Sequence, residues 1–244
     1  MKSLYFIHSI TSNGGRELIM KYITLALILF IHYTGHGQNE FKTVNRVEVE
    51  IMVSDSTKLT YYPKLLGRFQ EDDTTLTTEE FRLLYYGFVF QKEYSGYPDL
   101  KQKEINDAIG KKNYDEASKL CDSVLSQYPI NLFANYNKGL ALFLKDSSNT
   151  NFARCIDRFK KILNAILSSG DGLTCKTAFK TIFVNDEYQV MYRYFEIKTF
   201  NGQALETPCD RMSVAPSDYF KSDNMYFDTS ETLLYMERLM KKTM

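Results

Sequence analysis

Three carboxylates in the C-terminal half of the sequence, Asp171, Asp186 and Glu187, are of a residue type that could catalyse hydrolysis. Two carboxyl groups roughly 5 to 10 Å apart can cleave a glycosidic bond. Nothing in the spacing of these residues requires them to meet in the fold. Asp186-Glu187, between two candidate strands, is more simply interpreted as a solvated turn, so the sequence assigns no catalytic residue.

Two of the three histidines, His32 and His36, have the spacing i, i+4, which places two imidazoles on one face of a helix, as in zinc sites. They follow an apolar run, residues 22–31, that comes directly after Lys21. This order is typical of a secretory signal peptide. The run is about half the length of the roughly 20 apolar residues that cross a membrane, so no stable membrane anchor is expected.

Cleavage after Gly37 satisfies the small-residue rule of signal peptidases and would remove His8 together with His32 and His36. The mature chain would then contain no histidine, which excludes His-ligated zinc and Ser-His or Cys-His catalysis. The first cysteine, Cys121, lies far beyond this position, which excludes lipid attachment through an N-terminal cysteine. We therefore expect an exported protein, periplasmic or extracellular.

In an exported chain the four cysteines, Cys121, Cys155, Cys175 and Cys209, can form disulfides. Three pairings are possible, and the sequence does not choose among them. A free buried thiol that packs as a small hydrophobe is the simpler interpretation of each cysteine. None belongs to a CxxC motif, and Cys175 has no histidine to activate it as a nucleophile. No metal site and no cofactor are expected.

The stretch Ser168-Ser169-Gly170-Asp171-Gly172 is glycine-rich and could offer backbone N–H groups to a phosphate. A phosphate loop normally runs from a strand into a helix, whereas this stretch follows a predicted helix. Helix termination, with Gly170 in the left-handed conformation, is the preferred interpretation.

Tyrosines are abundant in the N-terminal half, and six of them could form either an aromatic binding face or part of the core. Adjacent tyrosines on a helix point in different directions, so core packing is preferred for most of the six. They are Tyr61, Tyr62, Tyr85, Tyr86, Tyr94 and Tyr97.

The 30 basic and 30 acidic residues balance, and no basic cluster is present, so nucleic acid is not expected as a partner. Oligomeric state is not indicated.

Hydrophobic periodicity predicts mostly helices up to residue 168 and strands after it. Residues 41–53 fit either a helix or a strand, and helix is preferred. Pro63 suits a first helical turn, and Thr77-Thr78-Glu79-Glu80 is a capping box. The predicted helices cover residues 61–70, 77–90, 100–109, 114–128, 132–144, 152–168 and 229–244, and the predicted strands cover 178–184, 192–200 and 224–228, with Asn201-Gly202 as a hairpin turn.

The segment NYDEASKLCDSVLSQYP, residues 113–129, resembles the second half of a tetratricopeptide repeat, with the small Ala117 and the terminal Pro129 in place. Gly139 fits the tight helix contact of the following repeat. The resemblance covers residues 100–168 and implies two antiparallel helical hairpins.

Three further blocks, residues 61–91, 164–188 and MYFD at 225–228, resemble an exported bacterial family known only as a domain of unknown function. That resemblance implies no activity and no catalytic residue.

The predicted fold is α+β, with N-terminal tetratricopeptide-like hairpins packed against a small C-terminal antiparallel sheet. The expected divisions are a signal region 1–37, starting at Met20 rather than Met1, a helical region 38–168 and a sheet region 169–244 that joins the helices in one unit.

The functional hypothesis is an exported, non-enzymatic helical-repeat module that binds a protein or peptide. The alternative is a hydrolase or binding protein that acts on envelope glycans or small molecules through Asp171, Asp186 and Glu187.

Overall fold

The computed structural model describes residues 41–243, so the apolar run, all three histidines and the proposed cleavage site lie outside the described residues. The α+β class is confirmed. The helices are α1 (Arg46–Ser54), α2 (Tyr62–Gln70), α3 (Thr78–Gly87), α4 (Gln102–Gly110), α5 (Tyr114–Gln127), α6 (Leu132–Lys145), α7 (Asn151–Leu167), α8 (Val184–Gln189) and α9 (Ser230–Thr243). The strands are β1 (Phe179–Lys180), β2 (Phe200–Glu206), β3 (Cys209–Val214) and β4 (Asn224–Asp228).

Side chains at the helix ends explain several of these boundaries. At the start of α3 the Thr77 hydroxyl accepts a hydrogen bond from the Glu80 N–H at 3.2 Å, and the Glu80 carboxylate accepts one from the Thr77 N–H at 2.8 Å. The predicted capping box is therefore present. Pro63 lies in the first turn of α2, as expected, and Asn131 caps α6 through the Ala134 N–H.

Helices α4 to α7 pack as consecutive neighbours. Ala117 of α5 is fully buried. At Gly139 of α6 an added Cβ would lie 2.9 Å from the Ile156 side chain of α7 and 3.2 Å from that of Cys155. Gly139 thus permits α6 and α7 to approach closely, as the repeat-like pattern predicts.

The sheet has the order β1-β4-β3-β2. It is mixed rather than antiparallel as predicted, because β1 pairs in parallel with β4, with Phe179 opposite Phe227. The other two pairs are antiparallel. A two-residue parallel strand has too little sequence pattern of its own to show its direction.

The predicted hairpin turn at Asn201-Gly202 is wrong. Both residues lie within β2, where the register with β3 shifts between Phe200 and Gly202. The chain reverses instead at Thr207-Pro208, whose peptide bond is cis. Asn-Gly also fits a strand irregularity, because glycine tolerates the backbone geometry of a bulge.

Two predicted strands are largely absent. Only Phe179 and Lys180 of the segment 178–184 are extended, and Val184 begins α8. In the segment 192–200 a π-helical turn, Val190–Tyr194, precedes β2. Aromatic and β-branched residues favour strands only where packing allows it, and here they lead into α8 and form the π-helical turn that follows it.

One hydrophobic cluster contains residues of both the helices and the sheet. Phe183 lies at its centre, with ring centroids 5.9 Å from Phe88, 5.9 Å from Tyr94 and 6.1 Å from Tyr128. The expectation that tyrosines serve the core holds for Tyr62, Tyr85, Tyr86 and Tyr94, which are all buried.

Cys175 and Cys209 form a disulfide, with Cα atoms 5.7 Å apart, that ties a 3₁₀ turn to the first residue of β3. The free-thiol interpretation is wrong for these two residues, whose pairing depends on the tertiary fold. It is right for Cys121 and Cys155, which are free and buried. Burial raises the pKa of both thiols, and that of Cys121 reaches about 12.

Within residues 41–243 no helix combines the length and the apolar composition needed to cross a membrane.

Candidate functional site

The carboxylates Asp186 and Glu187 lie on the short helix α8, and both side chains are completely inaccessible to solvent. The interpretation of Asp186-Glu187 as a solvated turn is therefore wrong. Helix α8 packs against α6, which carries these side chains into the interior. Ionised carboxylates are rarely buried unless they are paired, so this position calls for an explanation.

Asp186 is held by a short hydrogen-bonded chain. The Ile182 N–H donates to the Tyr85 hydroxyl oxygen at 3.1 Å, and the Tyr85 O–H donates to Asp186 Oδ2 at 2.7 Å. Burial raises the pKa of Asp186 to about 7, although the hydrogen bond from Tyr85 acts in the opposite direction. Near neutral pH this group therefore exchanges between its acid and its carboxylate form.

Glu187 is more isolated. Neither of its carboxyl oxygens has a hydrogen-bond partner among the described residues. Burial raises its pKa well above the ordinary value, and the negative charges of Asp210 and Asp186 raise it further. Burial and the neighbouring negative charges therefore both favour the protonated form of Glu187.

The negative charge of Asp210, on β3, acts on Glu187, and we call Asp186, Glu187 and Asp210 the carboxylate cluster. Gln203 Nε2 donates to Asp210 Oδ2 at 2.7 Å, and the Tyr188 hydroxyl donates to Gln203 Oε1 at 3.2 Å. Burial raises the pKa of Asp210. The sequence analysis missed this residue, because a single acid inside a strand segment has no distinguishing pattern.

The structure does not place Asp171 in this cluster. Its carboxylate accepts the Leu173 N–H at 2.9 Å within its own loop. The charges that act on Glu187 come from Asp210 and Asp186.

Two tyrosines, Tyr97 and Tyr188, feel the charges of the cluster. Burial, followed by the charges of Asp210 and Glu187, raises the pKa of Tyr97, which is 53% exposed. Burial and the Glu187 charge act in the same direction on Tyr188, whose ring centroid lies 6.1 Å from that of Tyr192. Tyr97 is thus the tyrosine of the predicted aromatic group that faces solvent beside polar side chains.

The described residues contain no candidate metal site of three side chains. Among residues 41–243 no group of three or more His, Cys, Asp or Glu side chains is arranged to hold a metal ion.

The burial of Asp186 predicts a pH-dependent stability. Because folding raises its pKa from 3.8 to about 7, the folded state binds more protons than the unfolded state between these values, and the free energy of unfolding falls as the pH rises. We expect Asp186 to contribute a loss of about 2 kcal/mol between about pH 5 and 7, with Glu187 acting in the same direction. Asp186→Asn cannot ionise, so its free energy of unfolding should fall less steeply with pH than that of the wild type. Urea unfolding at a series of pH values measures this dependence.

The matched control is Asp218→Asn, since the Asp218 side chain is 99% exposed. Its free energy of unfolding should depend on pH as that of the wild type does. If Asp186→Asn showed the same pH dependence as the wild type, Asp186 would not be the source of that dependence.

The glycine-rich stretch forms a turn that uses its own amides. The N–H groups of Asp171 and Gly172 both donate to the Thr177 carbonyl oxygen at 2.9 Å. These two amides are therefore not directed at an anion. The left-handed residue is Gly172, with φ +70°, and not Gly170 as expected.

Gly170 is required for a steric reason. A Cβ at this position would collide with the carbonyl oxygens of Thr177 and Ala178, which cannot rotate away as side-chain atoms can. Gly170→Ala is expected to lower the free energy of unfolding by about 2 kcal/mol. Gly67→Ala in α2 is the control, because nothing lies within 4 Å of its added Cβ, and it should be neutral or stabilising. Equal stability of the two variants would refute this account.

A second feature is a groove between α7 and the turn that joins α2 to α3, with a volume of about 340 Å³. We call it the α7 groove. Its floor is apolar, and its walls carry both charges. The lining residues are Phe69, Asp72, Asp73, Thr74, Leu76, Phe81, Arg154, Asp157, Arg158 and Lys161.

Ion pairs hold the walls of the α7 groove together. The Asp72 carboxylate forms ion pairs with the guanidinium groups of Arg154, at 2.9 Å, and Arg158, at 2.6 Å. The Lys161 ammonium forms another with the Asp157 carboxylate at 2.9 Å. The Arg158 guanidinium also lies 4.8 Å from the ring centroid of Phe69. Phe69, Leu76 and Phe81 are each at most 8% exposed, so the groove exposes little apolar surface beside charges of both signs. Sequence reasoning missed it because it joins segments that are far apart in the chain.

Comparison with known proteins gives a family but no activity. No curated protein and no solved structure is detectably similar to the chain. The sequence model of the family described as Domain of unknown function (DUF4919) matches residues 47–238. The match includes α2 to α8, the whole sheet, the carboxylate cluster and the α7 groove. The chain belongs to this family of unknown function.

Proposed function

We propose that this chain is an exported, non-enzymatic helical-repeat module that binds a protein or peptide in the α7 groove. The observation that supports it most is the composition of the groove, in which the exposed side chains of Arg154 and Asp157 lie beside the buried Phe69, Leu76 and Phe81. An extended peptide carries charges and amides at short intervals, which exposed side chains of both charges can bind. The volume falls within the range usual for ligand sites.

Exposure of the wall charges supports the same proposal. The side chains of Arg154 and Asp157 are 57% and 58% exposed, so the charges of a partner can reach them and compete with Asp72 and Lys161. Peptide partners are commonly fixed in register by such charges at the rim of an apolar contact.

The test is a charge-swapped variant, Arg154→Glu with Asp157→Lys, which keeps the net charge. Wild-type protein carrying a photo-crosslinker at Thr74, another lining residue, is incubated with envelope extract, and the crosslinked proteins are compared between variants. We expect the wild type to crosslink a specific partner and the swapped variant to crosslink about tenfold less of it. That is the effect of removing one well-made charged contact.

The control variant swaps another exposed ion pair, Asp218→Lys with Lys221→Glu, which does not line the α7 groove. It should retain the partner. Equal crosslinking by the groove variant, or no specific crosslink in the wild type, would refute the proposal.

The alternative is hydrolysis or binding of envelope glycans or small molecules through the carboxylates. It is favoured by the pKa of Asp186, about 7, because a general acid works best with a pKa near the working pH. The complete burial of Asp186 and Glu187 counts against it, since a catalytic group must reach its substrate. Glycan hydrolysis that disappears in both Asp186→Asn and Glu187→Gln would support this alternative over the first.

A further inference from the structure

Asn201 is the one asparagine between residues 41 and 243 that is followed by a glycine. Its side-chain amide carbon lies a few covalent bonds from the backbone nitrogen of Gly202. Glycine has no Cβ, so it lets this nitrogen adopt conformations close to the preceding side chain that other residues resist. The two adjacent residues therefore carry both reactants of an intramolecular reaction.

Strand β2 is irregular at this pair. Phe200 lies opposite Val214 of β3, and Gly202 lies opposite Ser213. β2 thus advances by two residues where β3 advances by one, and Asn201 has no partner in the ladder. At such a bulge the extra residue is left unpaired and the ladder is locally disrupted. The backbone around Asn201 is therefore less constrained than that of a regular strand.

The surroundings of the pair are open. The Asn201 residue is exposed, and β2 is the outer strand of the sheet. An added Cβ at Gly202 would meet no atom within 4 Å. Water therefore reaches the pair, and no neighbouring group closes the space in which the two residues would react.

We propose that Asn201 is a site of spontaneous deamidation in the folded protein. The Gly202 nitrogen loses its proton and forms a bond to Asn201 Cγ, and ammonia leaves, which closes a succinimide ring. Water then opens the ring at either of its carbonyl carbons, and the product at position 201 is aspartate or isoaspartate. Overall, water is consumed and ammonia is released, and no oxidant or cofactor takes part.

The reaction changes the charge of the protein and leaves the core untouched. Because Asn201 is exposed, a carboxylate at this position stays hydrated and is expected to leave the fold intact. Its charge adds to that of Glu206, the only charged residue of β2. Folded protein should therefore exist in two charge forms, and the acidic form should increase with the age of a sample.

This site is separate from the function proposed for the α7 groove. Neither Asn201 nor Gly202 lines that groove. Failure of one proposal therefore leaves the other standing.

Peptide mapping by mass spectrometry tests the site after incubation of the folded protein at neutral and at mildly alkaline pH. The internal controls are Asn151 and Asn164, exposed residues of α7 that are followed by phenylalanine and alanine. We expect Asn201 to deamidate at least about tenfold faster than either control, which corresponds to a barrier lower by about 1.4 kcal/mol. The product should contain both aspartate and isoaspartate. The rate should rise with pH, because the attacking nitrogen must lose its proton.

Three variants test the assignment of the attacking group. Gly202→Ala should slow the reaction by about tenfold or more, and it is expected to fold, since its Cβ meets no atom within 4 Å and Gly202 does not have a positive φ. Gly67→Ala is the matched control, because it also adds a methyl group in open space, and it should leave the rate at Asn201 unchanged. Asn201→Asp should elute with the acidic form in ion-exchange chromatography.

Wild-type protein unfolded in urea provides the reference rate of the same Asn-Gly pair without the fold. If this reference reacted while Asn201 of the folded protein reacted no faster than Asn151 and Asn164, the fold would protect the pair and the proposal would be overturned. An unchanged rate in Gly202→Ala would also overturn it, because Gly202 would then not be the attacking residue.

Discussion

Replacing Phe183 with alanine is expected to lower the free energy of unfolding by about 3 to 5 kcal/mol. The side chain is fully buried, and its ring contacts those of Phe88, Tyr94 and Tyr128. These neighbours come from separate segments of the chain, so they cannot all move inwards to fill the space. The loss therefore includes both the transfer energy of the ring and the energy of the cavity. Urea unfolding followed by circular dichroism measures it.

Tyr219→Ala is the matched control, since it also removes an aromatic ring, but from a side chain that is 53% exposed. A change within about 0.5 kcal/mol is expected for this variant. If the two variants lost similar stability, Phe183 would not hold the central position assigned to it.

Removing the disulfide should have an effect of nearly the same size. The Cys175–Cys209 bond closes a loop with a sequence separation of 34 residues, for which loop entropy gives about 3 to 4 kcal/mol. The double variant Cys175→Ala with Cys209→Ala should lose that amount of unfolding free energy. Unfolding in guanidinium with and without a thiol reductant measures it.

The reductant supplies the internal control. It should lower the stability of the wild type to that of the double variant and leave the double variant unchanged. A wild type that is insensitive to reductant, together with an equally stable double variant, would show that the bond contributes nothing to the fold.

Local signals allowed most helices to be predicted. The capping box at Thr77 and Glu80 acts within one turn, and Pro63 fits only near a helix start. Such features depend on a few neighbouring residues, so the sequence alone contains them. The long helix α7 and the final helix α9 were predicted for the related reason that their apolar residues recur at helical spacing.

Features that depend on distant contacts could not be predicted in this way. The burial of Asp186 and Glu187 opposes the usual preference of carboxylates for solvent. At Asp186 a hydrogen bond from Tyr85, about a hundred residues earlier in the chain, accompanies the burial. The charge of Asp210 on β3 acts on Glu187, and no pattern around Asp210 indicates this. The α7 groove and the pairing of Cys175 with Cys209 likewise became visible only in three dimensions.

The order of the strands has a consequence for how the chain is made. β4 is the last strand to be synthesised, yet it lies between β1 and β3 and pairs with both. A ribosome that stops before Asn224 would release a chain whose β1 has no partner strand and whose β3 has one open edge, a state prone to aggregation and proteolysis. The sheet can close only once β4 has been synthesised. Truncated products are therefore expected to be cleared rather than to accumulate.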